Sequence, residues 1–216
     1  MSLIGWLKEF NEGRIRLILG SASPARRRLL EQLNIPFQVM VSDFAENLDK
    51  SSFEDLTEYP VATSLGKTTD LLHKLRESDD VSVLLTCDTV VIRDGRFIME
   101  KPNSCDHAAD MISSLAGKEH AVVTGVVITL IAKQGTILAQ DVFKEISTVK
   151  IVTLSSSQVE DYVRTGEPMG KAGGYGIQGL GEILIESVSG SYTNVVGIPL
   201  HRVAERLGQL LEFHIK

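Results

Sequence analysis

Residues 16–33 read RLILGSASPARRRLLEQL. The apolar run over residues 16–20 has the length and character of a short buried strand. Ser23 is a helix-capping residue, and Pro24 suits a first helical turn, where its missing N–H is not needed, so a helix is expected from there through Leu33. The chain therefore passes from a strand through a loop of small residues into a helix. That order points to an α/β protein rather than a helical bundle or an all-β sandwich.

Upstream, residues 1–13 place Leu3, Ile4, Trp6, Leu7 and Phe10 among Lys8, Glu9 and Glu12, a spacing that predicts a short amphipathic helix lying on the body. This segment is read as an N-terminal extension, with residues 14–216 as a single catalytic domain. It lacks the apolar core of a signal peptide, and no run of about 18 apolar residues follows that could span a membrane. A soluble, cytoplasmic protein without a membrane partner is expected. Downstream, strands are predicted over 37–41, 81–92, 120–132, 136–153 and 183–188, and helices over 59–76, 104–115, 155–164 and 199–213. Asp94-Gly95 is a hairpin turn, Ser104 a plausible helix cap, and 42–52 a polar loop carrying Asp43, Glu46 and Asp49. Helices and strands alternate irregularly, so the sheet should be mixed and partly antiparallel, flanked by helices.

The chain of 216 residues carries a net charge of −6. That argues against a stable nucleic-acid partner held by many phosphate contacts, and leaves room for a small anion in a local basic pocket. Cys87 and Cys105 form no Cys-x-x-Cys pair, which indicates a reducing compartment and two small buried thiols. The five histidines show no i, i+4 pair and are expected at or near the surface.

Four motifs could carry chemistry. In GSASPARRR, Arg26, Arg27 and Arg28 crowd the positive end of a helix, where cations are disfavoured by roughly 0.3–1 kcal/mol each. Either an anion compensates them, which would make the helix start a phosphate site, or nearby glutamates do. In LLTCDTVVI, Asp88 interrupts an apolar strand and needs a cation, a metal or several donors, unless it is a turn residue bonded to local backbone. Cys87 beside it has no evident base. Lys101, in Glu100-Lys101-Pro102, could reach phosphates bound over the strand ends. Finally, residues 170–181 are dense in glycine; they match a dinucleotide fingerprint in spelling but follow a helix instead of a strand, and they end in no Walker lysine. What remains is a loop whose backbone can approach a ligand, with Gln178 offering a donor and an acceptor to a base edge.

Taken together, SASPARRRLLEQL, CDTVV, EKP, GKAGGYGIQG and the late GSYTNVVGIPL resemble the Maf family of nucleotide pyrophosphatases, in the family's order from Leu19 to about Leu200. The resemblance implies a mixed sheet and two lobes around a cleft, a fold shared with inosine triphosphate pyrophosphatases. It implies hydrolysis of a nucleoside triphosphate to the monophosphate and pyrophosphate, with magnesium, or manganese in its place, as cofactor. Ser21, Arg26, Glu46, Lys67, Asp88, Lys101 and Gln178 match the family's functional positions. Asp88 and Glu46 are then the catalytic carboxylates and the metal ligands; Arg26, Lys67 and Lys101 bind the phosphate chain; Thr89 and Gln178 help select the base. The CDT and GYGIQG blocks resemble the branch acting on dTTP, UTP and modified pyrimidine triphosphates, whereas a 7-methylguanosine triphosphate branch differs in both. Ala25 departs from the pyrimidine pattern, where an arginine linked to substrate choice is usual. A homodimer is compatible with this reading. The rival readings are a non-catalytic nucleotide- or RNA-binding module and a cysteine hydrolase built on Cys87.

Overall fold

The computed structural model describes residues 4–78 and 80–214. In chain order these hold α1 (Leu7–Asn11), β1 (Arg16–Gly20), α2 (Pro24–Glu31), β2 (Phe37–Val39), α3 (Tyr59–Lys74), β3 (Ser82–Arg93), β4 (Phe97–Met99), α4 (Cys105–Leu115), β5 (Glu119–Ile131), β6 (Ile137–Ile151), α5 (Ser156–Arg164), β7 (Ile185–Ser189), α6 (Tyr192–Val196) and α7 (Leu200–His214). The predicted caps are in place: Ser23 accepts from the Arg26 N–H, Ser104 from His107, and Ser155 forms a reciprocal capping box with Gln158. Asp94 and Gly95 both take positive φ, 54° and 64°, and turn β3 into β4.

One seven-stranded sheet runs in the order β2-β1-β3-β5-β6-β7, with β4 added to β3. β2, β1 and β3 are parallel, while β3, β5, β6 and β7 are antiparallel. β3, β5 and β6 are long enough, at roughly 3.3 Å per residue, to serve two bodies at once. In one body α1, α2 and α7 bury Trp6, Phe10, Leu29, Leu207 and Leu211 against Leu19, Leu85 and Ile128. α3 covers the opposite face through Leu71 on Ile18 and Leu84. In the other, α4 and α5 pack Ile112, Leu115 and Val159 onto Val91, Val122 and Val149. A mixed α/β fold of two lobes therefore holds.

Several local expectations are corrected. Cys87 is buried, but Cys105 opens α4 and is exposed. His120 is buried on β5, since its position alternates inward under the glycine-rich loop. Residues 180–184 form a 3-10 turn with Ile183 exposed, so the strand expected from 183 starts at Ile185. α6 was not expected: its five residues are too few for a helical period to be read. Residues 1–3 of the predicted amphipathic segment lie outside the described residues; Trp6 and Phe10 do pack onto the body as expected. No helix among the described residues is long and apolar enough to cross a membrane.

Candidate active site

β1 stops at Gly20 opposite Thr86, and β4 joins the same edge of β3 only at Val91. Between these points β3 keeps β5 on one side and, among the described residues, has no strand on the other. Asp88 and Thr89 lie in that gap. The carboxyl end of β1 delivers the Ser21–Ser23 loop and the start of α2 over it, the position where open α/β sheets form ligand crevices. A cleft of about 680 Å³ opens here, lined by all eight residues singled out from the sequence: Ser21, Arg26, Glu46, Lys67, Asp88, Thr89, Lys101 and Gln178.

Its centre is a cation between two carboxylates. Lys67 Nζ lies 2.8 Å from Asp88 Oδ1 and 3.0 Å from Glu46 Oε1. The Lys67 and Asp88 side chains are 8% and 10% exposed, whereas Glu46 is 45% exposed on the cleft wall. Two glycines assemble this group. Gly125 faces Asp88 across the β3–β5 ladder, and a Cβ there would lie 2.4 Å from the Pro60 backbone, so α3 rests directly on bare strand. Ser64 fastens the contact by donating to the Gly125 carbonyl at 2.8 Å. A Cβ on Gly66 would lie 2.3 Å from the Phe44 ring; this bare helix face seats Phe44 and with it the loop bearing Glu46. Asp70 holds the same loop through the Ser42 hydroxyl and the Asp43 N–H. Burial pushes the Glu46 carboxyl up, but Lys67, then Lys101 and Arg26, outweigh it and hold Glu46 below the usual carboxylate range. Asp88 Oδ2 makes no hydrogen bond among the described residues and is left for the cleft.

The three arginines have separate fates. Arg26 is buried, its guanidinium donating to the Gly197 carbonyl, Ser21 Oγ and Thr89 Oγ1. Arg27 pairs with Glu31 at 2.8 Å, the ordinary surface outcome. Arg28 is exposed and lines the cleft one helical turn beyond Ala25, which also lines it. Its i, i+3 relation to Ala25 was the signal available in the sequence; Lys171, also in the cleft wall, had none beyond its place in the loop. Lys101 is exposed in the wall, while the carboxylate of its neighbour Glu100, which also lines the cleft, accepts from Lys50 and the Tyr59 hydroxyl.

The glycine-rich loop is tied from beneath. The Glu167 carboxylate accepts from the N–H groups of Leu180 and Gly181 at 2.8 and 2.9 Å and from the Tyr162 hydroxyl at 3.1 Å. The Tyr175 hydroxyl meets His120 Nε2 at 2.6 Å; burial lowers His120 to about 4 and pushes the Tyr175 phenol up. So held, the loop presents Gln178, whose Oε1 is buried, lines the cleft and has no partner among the described residues. Cys87 points the other way, into the core, where burial raises its thiol to about 11 against the weaker opposing pull of Arg26 and Lys67. A protonated, buried thiol with no base beside it is not a nucleophile.

The profile of the Maf-like protein family matches residues 16–210. A human relative, the probable bifunctional dTTP/UTP pyrophosphatase/methyltransferase protein, is 41% identical over 90% of this chain. The match covers only 32% of that relative, so the chain spans about a third of its length. The dTTP/UTP pyrophosphatase of Clostridium novyi is 35% identical over 91% of this chain and 98% of its own. A solved nucleoside-triphosphatase / dITP/XTP pyrophosphatase from Mycobacterium abscessus covers 92% of this chain and 95% of that one, but with 12% identity and a TM-score of 0.35 the likeness carries no weight.

Proposed function

The chain belongs to the Maf-like protein family, and on that premise we propose that it hydrolyses nucleoside triphosphates, dTTP and UTP foremost, to the nucleoside monophosphate and pyrophosphate. The observation that carries this reading is the Asp88–Lys67–Glu46 cluster, set in a nucleotide-sized cleft whose remaining charged wall is mostly cationic. Hydrolysis at the α-phosphorus needs a water placed on one side and charge stabilised on the transferred group and the leaving oxygens. Asp88 Oδ2 is the free carboxylate oxygen suited to orient that water and take its proton. Lys67 fixes the Asp88 carboxylate through Oδ1 and adds positive charge beside it. Arg26 and Lys101 receive the phosphate chain. Gln178 Oε1, buried and unpartnered, calls for an N–H on the ligand, which the N3–H edge of thymine or uracil supplies.

Among the described residues no three His, Cys, Asp or Glu side chains gather as a metal site. Two carboxylates are nevertheless the kind of donor set magnesium uses when substrate phosphates and water complete its shell, so Asp88 and Glu46 fit it, with manganese as a substitute. When bound, the ion would neutralise phosphate charge and lower the pKa of a ligated water. We place the protein in the cytoplasm, where such triphosphates are found and where an unpaired exposed thiol such as Cys105 persists.

The test is hydrolysis of dTTP in ¹⁸O-water. Label in dTMP with unlabelled pyrophosphate is expected. Label in pyrophosphate, or inorganic phosphate as the sole phosphorus product beside the nucleotide, would overturn the proposal.

A further inference from the structure

Arg26 stands in the first turn of α2, yet two of its three side-chain hydrogen bonds go to residues far along the chain. Its Nε donates to the Gly197 carbonyl at 2.9 Å, Nη1 to Ser21 Oγ at 3.1 Å and Nη2 to Thr89 Oγ1 at 2.8 Å. A guanidinium has five N–H donors, so this pattern leaves one on each terminal nitrogen. Both remaining donors belong to a side chain that lines the cleft.

Behind Thr89 the bonding has one direction. Thr124 Oγ1 donates to the Asn194 carbonyl at 3.1 Å, so in the 2.9 Å contact between the two threonines the proton comes from Thr89. Thr89 Oγ1 therefore keeps a lone pair turned to Arg26. Asn194 is fully buried, and its Nδ2 donates to the Val122 carbonyl at 3.1 Å and to Ser147 Oγ at 3.0 Å. Ser147 also donates to the Ser191 carbonyl and accepts from the Ser191 N–H. The short helix α6 is thereby pinned to β5 and β6, and its end at Gly197 has one fixed place. Gly197 takes φ 127°, and a Cβ there would lie 3.1 Å from Arg26 Nε and 3.3 Å from Arg26 Cγ. Only glycine both adopts that backbone readily and lets the guanidinium reach the carbonyl.

We infer that Thr89 and the α6–Gly197 segment are positioning residues for Arg26: they lock its guanidinium plane so that its two free N–H groups point at the phosphate chain. This gives Thr89 a part in phosphate placement, and it gives the SYTNVVG stretch a task in the site. It rests on the pyrophosphatase reading only in the identity of the anion.

The experiment is a double-mutant cycle of Thr89→Val and Arg26→Ala, with Thr89→Ser alongside. Binding of pyrophosphate by calorimetry, kcat and KM for dTTP, and Tm are measured on the same preparations. Thr89→Val keeps shape and removes the acceptor; it should weaken pyrophosphate binding and raise KM about tenfold. Thr89→Ser should stay within about twofold of the unaltered protein, since it retains the oxygen. In the Arg26→Ala background Thr89→Val should add no further loss of pyrophosphate binding. An equal loss in both backgrounds would overturn the inference. If the unaltered protein binds pyrophosphate but turns over no triphosphate, the proposed activity fails and the binding cycle still decides the role of Thr89. Failure of the unaltered protein to bind pyrophosphate at all would overturn the inference as well.

Discussion

Asp88→Asn separates a catalytic carboxylate from a counter-ion for Lys67. The side chain is 10% exposed and accepts from Lys67 Nζ at 2.8 Å. Removing one partner of a buried ion pair usually costs about 3–5 kcal/mol, because the other charge is left alone. Here it is not left alone: Glu46 Oε1 stays 3.0 Å from the same ammonium, and the asparagine carbonyl can replace Oδ1 as acceptor. The expected stability loss is therefore that of weakening one charge-assisted hydrogen bond, roughly 1 kcal/mol. For a chain of this size that is about 2–4 °C in Tm. Asparagine cannot take a proton, so kcat should fall by at least about a hundredfold, equivalent to roughly 2.7 kcal/mol of barrier. The assay is pyrophosphate release from dTTP at saturating substrate, with a melting curve on the same sample. An unchanged kcat per folded molecule would refute the argument and reduce Asp88 to the ion that neutralises Lys67.

Excess chelator should lower turnover by at least about a hundredfold and added magnesium should restore it; full turnover in chelator would remove Asp88 and Glu46 as metal ligands. Gln178→Ala should cut the preference for dTTP over dATP roughly ten- to a hundredfold, the effect of losing a buried hydrogen bond of about 1–3 kcal/mol, and an unchanged ratio of kcat/KM values would place the base elsewhere. Acidification should destabilise the protein through His120. Burial lowers its folded pKa to about 4 from an ordinary 6.5, so the unfolded chain takes up the proton first. Stability is then lost as pH falls from about 6.5 to about 4, by roughly 3 kcal/mol, and changes no further below that. Urea denaturation across this range should show a shallower slope in His120→Gln; an identical slope would mean that other groups govern it.

Features that one turn or one strand encodes were legible in the chain without its fold. Ser23-Pro24 starts a helix because a hydroxyl and a ring without an N–H satisfy a helix's first turn wherever it lies. Asp88 stands out because an apolar strand has no water for a carboxylate. Asp94-Gly95 turns because both positions tolerate positive φ. Regular periods located every long strand and helix, and five ordered blocks resembled one family, which supplied Lys67 and Glu46 where local pattern was silent.

What those residues meet depends on the folded arrangement. Asp88 has Lys67 as its partner because Gly125 leaves the strand bare enough for α3 to lie on it, a contact that brings together Ser64 and Gly125, 61 residues apart in the chain. Glu46 arrives because Phe44 seats on Gly66. The hydroxyl of Thr89 faces Arg26, His120 is buried beneath Tyr175, and Cys105 is exposed, although the sequence reading put the histidines at or near the surface and both thiols inside. The reason is the same throughout: burial and pairing depend on which backbone passes overhead, and that is set by strand register and close approach between distant segments, which no window along the chain contains.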